Sequence, residues 1–186
     1  MSELRVIIGA GDQAWDGWIA THRDQLDLLR RSTWERWFGL NRADALLCEH
    51  VFEHLSEQEA RDAASICFDF IKPGGFLRVA VPDGYFPDEG YQMTVKIGGP
   101  GPSDHPAAGH KIVFNYRTLS DVLLSAGFSV DLLEFCDESG RFHYNQWDRS
   151  TGPIYRSLLS DHRNSPDKIG FVSLIVDAVK PVHLAE

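Results

Sequence analysis

Residues 44–82 read DALLCEHVFEHLSEQEARDAASICFDFIKPGGFLRVAVP. Residues 44–48 are short and apolar enough for a buried strand. Ser56, followed three residues later by Glu59, is a capping-box signature that opens a helix. Ala60, Ala63, Ala64, Cys67, Phe68 and Ile71 then recur at the spacing of one helical face. Pro73-Gly74-Gly75 stops that pattern, and residues 76–81 predict a second strand ended by Pro82. Strand, helix and strand in this order make a βαβ unit, with parallel strands and a right-handed crossover.

Outward from this unit the pattern continues. Val6-Ile7-Ile8 predicts a buried strand feeding the turn Gly9-Ala10-Gly11-Asp12. Residues 18–21 and 26–29 predict two more short strands. Ser32 with Glu35 suggests another capping box, for a short helix carrying Trp34, Trp37 and Phe38. Residues 82–117 hold six glycines and five prolines and show no sustained period, so they read as a long loop. A helix over 118–126 follows, with Leu119, Val122 and Leu123 inward and Gly127 as its stop. Strands are expected at 128–135 and 171–179, separated by a loop at 136–170 rich in aromatic residues (Phe142, Tyr144, Trp147, Tyr155). The sum is one α/β domain over 1–186 on a mostly parallel sheet.

Composition bounds the function. The 186 residues carry 18 Lys and Arg against 27 Asp and Glu, a formal charge of −9. A field of that sign repels phosphates, which disfavours nucleic-acid partners and anionic membrane surfaces. No stretch approaches the length needed to span a bilayer. Cys48, Cys67 and Cys136 have no CxxC spacing and read as buried thiols of a reducing compartment. Without a signal-peptide pattern at residues 1–8, the expectation is a cytoplasmic protein.

Three features carry chemistry. Gly9-Ala10-Gly11 lets backbone approach a ligand at the carboxyl edge of a sheet, or serves only as a turn. It lacks the third glycine of a dinucleotide fingerprint, and the phosphate-loop pattern GxxxxGK[ST] is absent. Residues 50–54 match HxxEH, in which His50 and His54 on one helical face would hold zinc and Glu53 would activate water. Because the helix begins only at Ser56, that geometry is unsupported, and a zinc metallohydrolase is a minor alternative.

Taken together, VIIGAGD (6–12), GWIAT (17–21), LDLL (26–29), DALLCEHVFEHLS (44–56) and KPGGFLRVAVPDG (72–84) resemble class I S-adenosylmethionine-dependent methyltransferases. The resemblance is to a small branch marked by EHxxEHL and KPGGxLRxAxPD. HKIVFNYRTL (110–119), AGF (126–128) and SLIVDAVKP (173–181) extend it over most of the chain. It implies a Rossmann-like, seven-stranded sheet with an antiparallel last strand and helices on both faces. It also implies S-adenosylmethionine as cofactor. Gly9, Ala10, Gly11 and Asp12 would lie beside its methionine part, Glu49 and His50 would line the methyl-donor cleft, and Leu28 and Leu29 would flank adenine. The acidic residue that many members place after the second strand is missing; Thr21 or His22 stands there, with Asp24 slightly beyond.

Methyl transfer requires alignment of donor and acceptor, and a base only where the nucleophile carries a tightly held proton. His110 and His105 are the preferred candidates for that base, then Asp83; His50 and Asp104 are further ones. The acceptor reads as an unidentified small molecule, and the protein as a monomer or dimer. Two other classes stay open: a non-catalytic cofactor-binding or interaction protein on the same fold, which the missing carboxylate would suit, and a Rossmann-type oxidoreductase.

Overall fold

The computed structural model describes residues 3–182. Strands β1 (Arg5–Ile8) and β2 (Ile19–Thr21) precede helix α1 (Arg31–Trp37). The central unit is β3 (Ala43–Glu49), α2 (Glu57–Phe70) and β4 (Ile71–Pro82). Helices α3 (Glu89–Val95) and α4 (Tyr116–Ser125) follow, then β5 (Ser129–Cys136), β6 (Phe142–Tyr144) and β7 (Ser173–Val179).

The capping box at Ser56 and Glu59 forms reciprocally, and α2 buries Ala60, Ala63, Ala64, Cys67 and Phe70. Phe70 takes the place expected for Phe68, which instead meets Phe128 edge-on. Ile71 already belongs to β4, so helix passes directly into strand. Gly75 sits where β4 meets irregular pairing with β3; a Cβ there would lie 2.7 Å from the Asp44 carbonyl oxygen. The second proposed box, at Ser32, does not form: α1 starts with no side-chain cap, and Glu35 pairs with Arg31. Asn115 and Thr118 make a reciprocal box that opens α4 two residues earlier than expected.

The sheet order is β2-β1-β3-β4-β7-β5-β6. Pairings from β2 to β4 are parallel and the remaining ones antiparallel, so the sheet is mixed rather than mostly parallel. β7 does run against both neighbours, β4 and β5. Residues 26–29 are turns, not a strand; Leu26 and Leu28 are buried there without pairing. β6 emerges from the aromatic loop as an additional edge strand. No described helix is long and apolar enough to cross a membrane.

Alternate strand residues face opposite sides of the sheet. On one side Val6, Ile8, Leu46, Cys48, Val79 and Val176 meet α2, α4 and Trp34 of α1 in the main core. On the other, Ile7, Leu47, Ala80, Leu133 and Ile175 meet Trp147, Ile154, Trp15 and Trp18. Those four covering residues all come from loops, so among the described residues no α-helix packs into this second cluster, where the resemblance implied one. The cause lies in chain length. Ten residues, 9–18, join β1 to parallel β2, and a crossover usually needs a dozen or more to carry a helix.

A buried cation holds the covering loop down. Arg78 of β4 stands opposite Asp177 of β7 and pairs with it through two hydrogen bonds of 2.7 Å. Its Nη1 donates to the Gly152 carbonyl at 2.6 Å, and its guanidinium lies 4.6 Å from the Trp147 ring centroid. Removing one partner of a buried pair strands the other. Arg78→Met should therefore lower unfolding free energy by about 3–5 kcal/mol, read from urea midpoints, and expose the 145–163 loop to protease.

Glu59 ties a second loop to α2 through Lys111 at 2.8 Å. That ammonium, then the Ser56 backbone and side chain, lowers its carboxyl from 4.5 to about 2. The contribution is complete above pH 4.5 and is lost as pH falls towards about 2. Glu59→Gln should be less stable than wild type at neutral pH, with the difference shrinking on acidification through that window; a constant difference in denaturant titrations would refute the linkage.

Candidate active site

The carboxyl ends of β1 and β3 open into a cleft where the strand order reverses direction, the usual ligand position in such sheets. A cavity of about 760 Å³ is lined by the 9–13 turn, Glu49, His50, Glu53, His54, His110 and the 155–163 segment. A second cavity of about 460 Å³ adjoins it, sharing Gly9, His50 and His54, and is lined by Leu28, Leu29, Asp27 and Val51 among others.

The turn after β1 is built for close approach. Gly9 and Gly11 have φ of +63° and +55°, a region costly for residues with a Cβ. A Cβ on Gly9 would meet Val51 at 2.8 Å, whereas one on Gly11 would project into open space. Ala10 is buried, with its N–H spent on the Thr21 carbonyl at 2.9 Å. Asp12 is exposed on the cavity wall.

Glu49, at the end of β3, joins two walls of the cavity. Its carboxylate accepts hydrogen bonds from the Gln13 side chain and from the backbone N–H groups of Tyr155 (3.0 Å) and Arg156 (2.9 Å). His50 has φ of +54°, rare for a non-glycine residue and a form of strain that collects at functional sites. Its N–H donates to the Ala80 carbonyl, and its Nε2 lies 2.9 Å from Ser173 Oγ. Residues 52–54 form a single 3-10 turn. The helical i,i+4 presentation of His50 and His54 that a zinc peptidase needs is therefore absent.

The base candidates separate. His110 lines the larger cavity, with Nδ1 2.8 Å from the Val95 carbonyl oxygen, and burial lowers its pKa from the ordinary 6.5. His105 instead caps the 3-10 turn at 106–109, its Nδ1 accepting from the Ala107 N–H, and it lines neither cavity. Asp83 is fully buried away from the cleft, accepting the backbone N–H groups of Tyr85 and Cys136; burial pushes its carboxyl up. Both are structural where reactive groups were expected.

Two expected cofactor contacts also move elsewhere. Thr21 is fully buried and donates its hydroxyl to the Ile7 carbonyl at 2.8 Å. His22 opens with Asp24 onto a separate surface pocket. The aromatic pattern marks Tyr155, but no period or motif marks Gln13, Asp27 or residues 156–163, which line the cavities beside it. Glu53 and His54 lay inside a noticed motif, but their meeting with His110 is a tertiary contact.

No family model and no curated protein matches the sequence. Solved structures do match its shape. A S-adenosylmethionine-dependent methyltransferase from Archaeoglobus fulgidus is 15% identical, with a TM-score of 0.55 over 95% of this chain and 86% of that one. A chain of the Haloferax volcanii complex containing the Trm112 methyltransferase activator is 12% identical, with a TM-score of 0.52 over 100% and 85%. An O-methyltransferase family protein from Burkholderia thailandensis is 14% identical, with a TM-score of 0.50 over 89% of this chain but 37% of that one. The chain thus shares a Rossmann-like fold with S-adenosylmethionine-dependent methyltransferases.

Glu49→Ala would leave three donors without their acceptor. The expected cost is about 1–3 kcal/mol, with faster amide exchange at Tyr155 and Arg156; unchanged exchange there would show that the carboxylate does not anchor the wall.

Proposed function

We propose that this chain transfers a methyl group from S-adenosylmethionine to a small-molecule acceptor. The observation that carries the reading is the pair of adjoining cavities at the carboxyl ends of β1 and β3, both lined by Gly9 of the left-handed glycine turn. When bound, S-adenosylmethionine supplies an activated methyl group on a sulfonium centre. We assign Gly9, Gly11, Asp12 and Gln13 to its methionine end, and Leu28, Leu29 and Val51 to the adenine chamber. Asp27 lines the same chamber and takes the ribose role that no residue at the end of β2 fills. His50 lines both chambers, and Glu49 the larger one. The acceptor end contains His110, Glu53 and His54, with Tyr155 and Arg156 opposite.

The small branch with EHxxEHL and KPGGxLRxAxPD remains part of this reading. It is supported by the work its motif residues do: Glu49 and Arg78 anchor the loop over the sheet, and Asp83 ties the turn at Tyr85 to the end of β5. A single-domain, cytoplasmic protein, monomeric or dimeric, is consistent with three free buried cysteines. Cofactor binding without transfer is the second reading, favoured by the absence of a carboxylate at the end of β2.

Titration calorimetry with S-adenosylhomocysteine should show one micromolar site for which S-adenosylmethionine competes. Gly11→Val should weaken it by at least roughly tenfold while circular dichroism stays native, because its side chain enters the open chamber. No heat at millimolar ligand defeats both readings, and near-wild-type affinity in Gly11→Val defeats the placement. Binding without methylation of any small molecule in a metabolite extract would favour the second reading.

A further inference from the structure

Glu53 is a buried carboxylate with nothing to satisfy it. Its side chain is 1% exposed, and neither oxygen has a hydrogen-bond partner among the described residues. His50 Nδ1 lies 3.2 Å from Oε1 without forming a hydrogen bond. An ionised carboxylate held this way is strongly unfavourable unless a proton or a cation joins it.

One neighbour, His110, turns an electron pair rather than a proton towards it. The Val95 carbonyl accepts from His110 Nδ1, which places the N–H on that nitrogen and leaves a bare lone pair on Nε2. That Nε2 stands 3.9 Å from Glu53 Oε1. The His54 ring lies edge-on to His110 at 5.0 Å between centroids. One ligand atom from each of Glu53, His54 and His110 lies within 4.8 Å of the other two. Metal–ligand bonds of about 2.0–2.2 Å would bring such atoms somewhat closer, a change within the reach of side-chain rotation.

We propose that Glu53, His54 and His110 bind one divalent transition-metal ion of the zinc class, with its remaining coordination positions open to the larger cavity. Two imidazoles and one carboxylate suit zinc and its neighbours better than magnesium or calcium, which favour all-oxygen shells. Three protein ligands leave room for an exogenous one. All three residues line the same cavity, so the open positions meet whatever occupies it; oxygen and nitrogen donors of an acceptor are the matching chemistry.

The ligands come from two segments that the backbone already joins. The Glu53 carbonyl accepts from the Lys111 N–H at 2.8 Å and from the Ile112 N–H at 3.3 Å. Gly109 leaves the space in which His54 stands, since a Cβ there would lie 2.8 Å from His54 Nδ1. The site differs from the HxxEH arrangement. Glu53 is a ligand rather than a base, His110 replaces His50, and His50 turns to Ser173.

Full-length protein, stripped with a chelator and dialysed, should be titrated with Zn²⁺ by calorimetry and with Co²⁺ by visible absorption. The expected result is one ion per chain and the intense visible bands of four- or five-coordinate Co²⁺. Glu53→Gln and His110→Ala should each weaken Zn²⁺ binding by at least roughly tenfold, and His50→Ala by far less. Absence of saturable binding to the wild type would overturn the site. Unchanged affinity in both Glu53→Gln and His110→Ala would also overturn it. Should either variant fail to fold, half-buried His54→Gln decides instead: it should lose the Zn²⁺-induced rise in melting temperature, and keeping that rise refutes the proposal. Zn²⁺ bound as expected without any S-adenosylhomocysteine binding would leave the site standing and defeat methyl transfer, so the two failures remain distinct.

Discussion

The ten-residue link between β1 and β2 carries no helix, so among the described residues the cluster around Ile7, Leu47 and Ile175 is covered without one, and much of the remaining structure answers that shortage. An apolar sheet face must be covered, and here the cover is irregular chain. Loops bring few hydrophobic side chains per residue and many backbone polar groups, so covering by loop alone is weak. The protein offsets this with buried charges that grip the loop from below. Arg78 holds Gly152 and supports Trp147, Glu134 takes the Trp147 indole N–H and the Leu158 N–H, and Glu49 takes Tyr155 and Arg156. Burial pushes the Glu134 carboxyl up, a sign that these anchors are held against a desolvation cost.

The same arrangement shapes the cleft. Glu49 reaches the turn after β1 through Gln13 and the covering loop through two backbone N–H groups, so one carboxylate sets the distance between opposite walls. On the far side, the 52–54 turn and the 110–112 segment are joined through the Glu53 carbonyl. The cavity floor is therefore sheet, while its rim consists of segments held by polar contacts at single points.

What could be read in the sequence follows from range of interaction. The βαβ unit at 44–82 was legible because strand apolarity, the Ser56–Glu59 cap and the helical spacing are local and agree with one another. Residues 26–29 misled because an apolar run says that chain is buried, not that it pairs; Leu26 and Leu28 fill the core from turns. β6 was hidden because its pairing with β5 depends on a partner rather than on its own three residues. Among the residues that line the cavity, the glycine turn and Glu49–His50 were legible from position after a strand. Direction of a side chain was not. Thr21, Asp83 and His105 all stood in plausible places and spend their polar atoms on nearby backbone. The HxxEH spacing drew notice to a polar cluster, while the meeting of Glu53 with His110 depends on a loop nearly sixty positions away.

The charged groups that hold the covering loop bind mostly its main chain: Glu49 takes two amides, Glu134 one, and Arg78 donates to a carbonyl. A main-chain group is the same at nearly every residue type, so such anchorage is blind to the side chains it carries. Residues of the 155–163 stretch that face the cavity are then free to change in evolution or engineering without detaching the segment. Proline is the exception where an amide is needed. The molecule in effect separates attachment from variation: the sheet supplies the fastenings, and an interchangeable sleeve lines the cavity.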